Sequence, residues 1–411
     1  MPETPLTETV RSAAAPASPP AGAPAGRLPL LDVLRGAAIL GTLMTNVWIF
    51  TGPGAEWGVF GALAEGSSLH GLLTGPSLPT AVEGVFRFLA DGKFLAMLTM
   101  LFGVGLAIQH ASATKRGQRW PGRYRWRALF LFAEGTAHFV LVFAWDVLMG
   151  YAVTALLVAH LLTRSERFRR RAMWVAGSLH LALMSLLTVG ALASASDGAK
   201  GPARRVVELY ADGGYLDQVA FRLHNAIALR MEPVISIGLL VFLFLLGVHL
   251  HRAGAFTSTP AGRRLRVRML AWGLGLGLPL NAALSLGGSD FFLLSRYVAA
   301  PVVAVGYIGL IGVLMDRLRP AGPLTTGLTS VGRTALTCYV TQNVLCVLAS
   351  YGIGLGLASR LGSTGPWWVL GLWATICLLL MAGSTLWLRR FSTGPLESVQ
   401  KWALRVSRSE R

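Results

Sequence analysis

The residues able to do chemistry in this chain lie inside or beside its most apolar stretches. Glu134 and His138 are four apart, the spacing that stacks two side chains on one face of a helix. Asp146 follows in a tight connector, Trp145-Asp146. Asp32 and Arg35 are three apart and can pair on one face in the same way. Asn46 comes eleven residues after Arg35, about three turns on and roughly 16 Å along nearly the same face. Asp91 and Lys93 flank Gly92. Ionisable groups in a bilayer are expensive, so such residues mark substrate sites, ion paths or buried pairs.

The elements that must position them are membrane helices. Of the 411 residues 53% are hydrophobic and only 14% charged, against about 25% charged in a soluble domain. Apolar runs of spanning length lie near 31–50, 84–109, 128–144, 147–163, 172–193, 233–251, 269–287, 295–315, 334–358 and 366–388. Lipid offers backbone groups no partner, so these runs are expected to be helices. The predicted fold is an all-α, polytopic transmembrane bundle of about ten spans. The 48 glycines suit close helix packing, and the Gly273–Gly275–Gly277 run is read as one such case, without a ligand role.

Orientation follows from the basic residues. Lys115, Arg116, Arg119, Arg123, Arg125 and Arg127 crowd one connector, and Arg164 to Arg171, Arg252 to Arg268, and Arg317, Arg319 and Arg333 crowd the alternate ones. The positive-inside rule then puts both termini in the cytoplasm. The net charge of +18 is explained by anionic lipid headgroups beside the spans, and no nucleic-acid partner is expected. Three regions result: a Pro/Ala-rich disordered N-terminus over 1–27, a membrane domain over 28–390, and a basic cytoplasmic tail over 391–411. Residues 194–229 form a long external loop, read either as a plain surface loop with a short helix or as a segment placing Tyr215, Val219, Phe221 and Leu223 on the membrane surface. Cys338, Cys346 and Cys377 fall in spans, with neither metal-ligand spacing nor a disulfide framework.

Depth relates the polar residues to one another. Asp32 and Arg35 lie near the cytoplasmic surface, whereas Asn46, Lys93, His138 and Asp146 fall in the outer half. The first four spans could therefore line one polar path ending in an outer cluster. Structural roles compete: Asp32–Arg35 as an ion pair at a helix end, His138 as a bond to a neighbouring helix, Asp146 as a cap on the fourth span. Lys93 is the hardest to explain without function and needs Asp91, Glu134 or Asp146 as a partner.

Five segments carry a family resemblance. Leu31–Phe50 (LDVLRGAAILGTLMTNVWIF) resembles the opening of the YeiB-like bacterial membrane proteins, a family defined by a domain of unknown function (DUF418). Gly92–Gly105 (GKFLAMLTMLFGVG), Ala133–Val153 (AEGTAHFVLVFAWDVLMGYAV), Val331–Asn343 (VGRTALTCYVTQN) and Phe391–Trp402 (FSTGPLESVQKW) are similar to its later motifs, in order. The chain departs from the family pattern at Ser398, where a tryptophan is usual, and at Trp145, where a glycine is common.

The resemblance implies a link to membrane acyltransferases that move acyl groups to lipid or cell-surface acceptors. In such relatives a histidine lies near the outer end of the helix that follows the Leu-Arg-Gly motif. Here that position is Asn46, which cannot act as a base, and His70 lies in a loop that fits no motif. On this reading His138 is the base, oriented by Glu134 or Asp146. Arg35, beside Asp32, holds the phosphates of an acyl-CoA co-substrate, and Asn46 polarises the acyl carbonyl. No other cofactor and no metal is expected. The rival is a transporter using the same polar path without bond chemistry, with Lys93 and Asp146 as its charges; no internal repeat supports it. A non-catalytic scaffold is the third reading. Oligomeric state is left open.

Overall fold

The computed structural model describes residues 28–62, 69–193, 202–317 and 322–409. The N-terminus expected to be disordered over 1–27, the first part of the external loop (194–201) and Arg319 lie outside the described residues. Among the described residues every regular element is helical. Six stretches are long and apolar enough to cross a membrane: Pro29–Thr51, Leu78–Lys115, Glu166–Ala193, Pro260–Leu286, Ser289–Arg317 and Trp367–Arg390. Shorter apolar helices cover Leu148–Leu161, Ile237–Arg252 and Ala335–Ser350. The chain is a membrane helical bundle, and each predicted apolar run falls on one helix or on consecutive ones.

The bundle opens with α1 (Pro29–Thr51), whose proline in the first turn lacks only a donor the helix would leave unpaired there. The short α2 (Ala55–Ala62) and α3 (Gly71–Thr74) follow. His70, at the start of α3, lies 3.0 Å through Nδ1 from the Leu286 carbonyl oxygen. Then come α4 (Leu78–Ala90), started by Ser77 accepting from the Thr80 amide at 3.2 Å, and α5 (Lys93–Lys115). The run expected as one span over 84–109 is thus two helices. Gly92 has φ +75°, which glycine adopts without strain, and an added Cβ would stand 2.5 Å from the Arg296 carbonyl oxygen.

Helices α6 (Tyr124–Leu141), α7 (Leu148–Leu161) and α8 (Glu166–Ala193) continue the bundle. The external loop is more ordered than predicted. It holds α9 (Arg204–Ala211), α10 (Tyr215–His224) and α11 (Ala226–Leu229), then α12 (Met231–Ile235) leads into α13 (Ile237–Arg252). Arg222 and Glu56 are both 0% exposed and bind each other twice, at 2.8 and 3.0 Å, with the Tyr210 hydroxyl donating to the same carboxylate at 3.2 Å. Phe221 packs edge-on against Trp57 at 5.4 Å, and the Tyr215 hydroxyl donates to the Leu141 carbonyl at 2.7 Å. The segment is therefore docked on the bundle, with Phe221 and Tyr215 among its contacts.

Helices α14 (Pro260–Gly275) and α15 (Gly277–Leu286), the short α16 (Phe292–Leu294) and α17 (Ala300–Arg317) form the next pass and return, with a π-helical turn over Ser295–Ala299. Gly273 and Gly277 sit at the contact with α17, where a Cβ would collide with Gly306 or meet Val302 and Val303; Gly275 faces open space. Last come α18 (Pro323–Arg333), α19 (Ala335–Ser350), α20 (Leu357–Leu361), α21 (Trp367–Arg390) and α22 (Pro395–Ser409). The span expected to reach residue 358 stops at Ser350. The tail expected over 391–411 is mostly helix, and its Glu397 accepts from the Leu336 and Thr337 amides at 2.9 and 3.3 Å and from the Thr337 hydroxyl at 2.6 Å. A carboxylate there satisfies amides that a helix start leaves unpaired. Gly36 and Gly332 let α1 and α18 touch backbone to backbone, since a Cβ on either would collide with Leu328 or Asp32 main-chain atoms.

Candidate functional site

Two polar groupings stand side by side in the bundle. The first is built on the turn between α6 and α7. Asp146 caps α7, its Oδ2 accepting from the Leu148 and Met149 amides at 2.9 and 3.3 Å. Its Oδ1 lies 3.0 Å from His138 Nδ1 and accepts from the Tyr339 hydroxyl at 3.3 Å. On the other side of the ring, Asn343 Nδ2 is 3.3 Å from His138 Nε2. The neutral ring that donates from Nδ1 to the carboxylate and accepts at Nε2 from the amide satisfies both ring nitrogens, while Asn343 Oδ1 is buried without a hydrogen bond among the described residues. The side chains of His138 and Asp146 are 2% and 0% exposed. Arg230 holds the turn by donating to the Asp146 and Ala144 carbonyls at 2.8 and 3.3 Å, and Trp145 donates to the Glu56 carbonyl at 2.8 Å.

The second grouping lines a cavity of about 400 Å³. Thr42, Asn46 and Trp48 of α1 form one wall, Glu83, Arg87 and Asp91 another, and Trp145, Glu232, Arg296, Tyr297 and Tyr339 close it. A narrower space of about 50 Å³ shares Gly92, Leu95, Val147, Glu232, Arg296 and Tyr297 with it and runs between Thr99, Gly150, Tyr151, Leu240 and Leu243. Arg87 pairs with Glu83 at 3.1 Å. Arg296 lies 3.6 Å from Glu232, whose Oε1 also accepts from the Tyr297 hydroxyl at 2.6 Å. The side chains of Asn46 and Asp91 have no hydrogen bond or ion pair within the described residues. Two helix discontinuities meet here, the Asp91–Gly92 break and the π-helical turn Ser295–Ala299. Irregular turns of both kinds gather at functional sites in membrane proteins.

The residues singled out from sequence divide between these places. Asp146 acts both as the expected cap and as the partner of His138, and it borders the narrower space. His138 has its two nitrogens engaged and is absent from both cavity walls. Glu134 does not orient it: both Glu134 carboxylate oxygens are buried without a hydrogen bond. Asn46 lines the large cavity. Arg35 pairs with Asp32 at 3.4 Å, beside the contact of Asp32 with Gly332, and borders neither space. Lys93 is 1% exposed; its ammonium donates to the Asp91 main-chain carbonyl at 3.3 Å and sits 4.5 Å over the Phe88 ring. Of the polar path expected through the first four spans, Asp32 and Arg35 stand apart from both spaces, whereas the His138 network adjoins them through Asp146 and Tyr339.

Sequence reasoning missed Tyr339 and Asn343 as partners of His138, although both lie in the Val331–Asn343 motif. It also missed Glu232, Arg296 and the Glu56–Arg222 pair. Glu232 stands one residue ahead of a predicted run and Arg296 one residue inside another, so charges at outer span ends were the available signal. The three cysteines are buried and free, and no cluster of three or more potential metal ligands occurs among the described residues.

Comparison with known proteins agrees with this architecture. The family profile described as "Protein of unknown function (DUF418)" matches residues 250–407. The chain is 26% identical over 404 residues to "Uncharacterized protein YxaH" of Bacillus subtilis (strain 168), covering 93% of this chain and 95% of that protein. It is 26% identical over 390 residues to "Uncharacterized protein YeiB" of Escherichia coli (strain K12), covering 89% and 93%. A 39.9 kDa protein from the amylase 3' region of Bacillus acidopullulyticus is 24% identical over 379 residues. The profile runs from the last residues of α13 into α22 and the relatives run nearly end to end, so the chain is similar over almost its whole length to the YeiB-like DUF418 proteins.

Proposed function

We propose that this protein binds a small amphipathic molecule in the 400 Å³ cavity and carries it across the cytoplasmic membrane unchanged. It does so as a bundle of about ten spans with both termini inside the cell. One observation carries the reading: the side chains of Asn46 and Asp91 border the cavity with no hydrogen bond or ion pair among the described residues, where the Asp91–Gly92 break meets the Ser295–Ala299 turn. Discontinuous helices expose backbone and side-chain polar groups at the sites of many transporters.

Acyl transfer from an acyl-CoA is the second reading, favoured by the His138–Asp146 contact of 3.0 Å and by the family resemblance. It requires His138 to give up Asn343 and reach the cavity past Tyr339. A general base needs hydrogen-bond reach of the proton it removes, and the Tyr339 hydroxyl is the nearest member of that network on the wall.

The test compares cells lacking the protein with cells in which it is restored, by mass spectrometry of small molecules inside and outside. A compound that changes sides unmodified supports transport. A newly acylated lipid or surface compound overturns transport in favour of acyl transfer, and no change in either sinks both.

A further inference from the structure

We infer that the molecule taken by the cavity is an ammonium-bearing amphiphile, its charged end held by Asp91 and Asn46 and its short apolar end in the narrower space; this rests on the cavity being the substrate site. The cavity wall carries three acids, Glu83, Asp91 and Glu232, and two bases, Arg87 and Arg296. Both bases are already matched, Arg87 by Glu83 at 3.1 Å and Arg296 by Glu232 at 3.6 Å. That leaves the Asp91 carboxylate as the acid on this wall with no hydrogen bond or ion pair among the described residues, its charge felt by Lys93 and Arg296 at longer range. Lys93, its nearest base in sequence, turns its ammonium to the Asp91 main-chain carbonyl and the Phe88 ring. Asn46 is 9% exposed, borders the cavity, and its amide has no hydrogen bond within the described residues. A ligand that displaces water from this wall must supply a donor to the carboxylate, or a charge is left dry and unpaired. An anion would have to share Arg87 and Arg296 with Glu83 and Glu232, and it would meet the Asp91 carboxylate. A cation gains the carboxylate beside the Trp48 and Trp145 rings that border the cavity, where the Trp48 ring already holds one cation, Arg87, at 5.8 Å. The apolar end follows from Leu240 and Leu243 along the adjoining space.

The experiment uses the purified full chain in detergent and three probes of equal length, hexylammonium, hexanoate and hexanol, with binding measured by calorimetry. Hexylammonium is expected to bind saturably and most tightly. Asp91→Asn should weaken it about tenfold or more, the scale of one charged hydrogen bond, while Asp91→Glu retains it and hexanol binds both variants equally. Asn46→Ala should weaken hexylammonium several-fold and leave hexanol unchanged. Hexanoate binding as tightly as hexylammonium, or a preference untouched by Asp91→Asn, overturns the cationic assignment and leaves the cavity reading standing. Binding of none of the three removes the cavity reading itself. If Asp91→Asn does not fold, the Asn46→Ala comparison decides the matter in the same terms.

Discussion

The His138 network and the cavity wall are neighbours made of similar residues, yet they are opposite in one respect. Around His138 every ring nitrogen and both Asp146 oxygens have partners. On the wall, Asn46 and Asp91 have none among the described residues although they face open volume. A satisfied buried network rigidifies a fold, whereas polar groups held toward space are available to something else. The histidine that drew attention in the sequence thus sits on the closed side of this division. Asn46, which cannot act as a base, sits on the open side.

The comparison can be sharpened from its extremes. Glu56–Arg222 is the most closed pair, so Arg222→Ala leaves a carboxylate buried alone and should cost about 3–5 kcal/mol, read as a drop in thermal midpoint in detergent. His138→Ala should cost about 1–3 kcal/mol by stranding Asp146 and Asn343. If that variant instead keeps its midpoint while the cell-level phenotype vanishes, His138 belongs with the open groups and the division fails. Asn46→Ala, having no hydrogen bond to break among the described residues, should move stability by no more than about 0.5 kcal/mol while weakening hexylammonium binding several-fold. Smallest of all, Arg35→Ala should leave acyl-CoA binding as it is in the unaltered protein, absent even at millimolar ligand. Saturable binding that this substitution abolishes would return the weight to acyl transfer.

Much of the bundle was legible because apolar length alone decides where lipid accepts a helix. Interruptions within runs were not. Nothing local separates Gly92, with its positive φ, from the packing glycines such as Gly103; the difference is that Gly92 abuts the Arg296 carbonyl, a contact 204 positions away in sequence. The docking of the external loop was not legible, because its central ion pair joins Arg222 to Glu56, 166 positions away in sequence. For the site, i,i+4 spacing found Glu134 and His138 but could not say which would be the partner. A turn brought Asp146 to His138, and a distant helix brought Asn343.

The docking of Glu397 on the first turn of α19 has a consequence for how the chain is made. The acceptor for the Leu336 amide lies 61 residues further along, so it leaves the ribosome only after α21 has been translated. Until then the first amides of α19 lack this acceptor. The order of synthesis therefore makes the last helix the closing step of assembly, and a chain stopped just after Arg390 would emerge with all its apolar runs but without the residue that finishes the seam between α18 and α19.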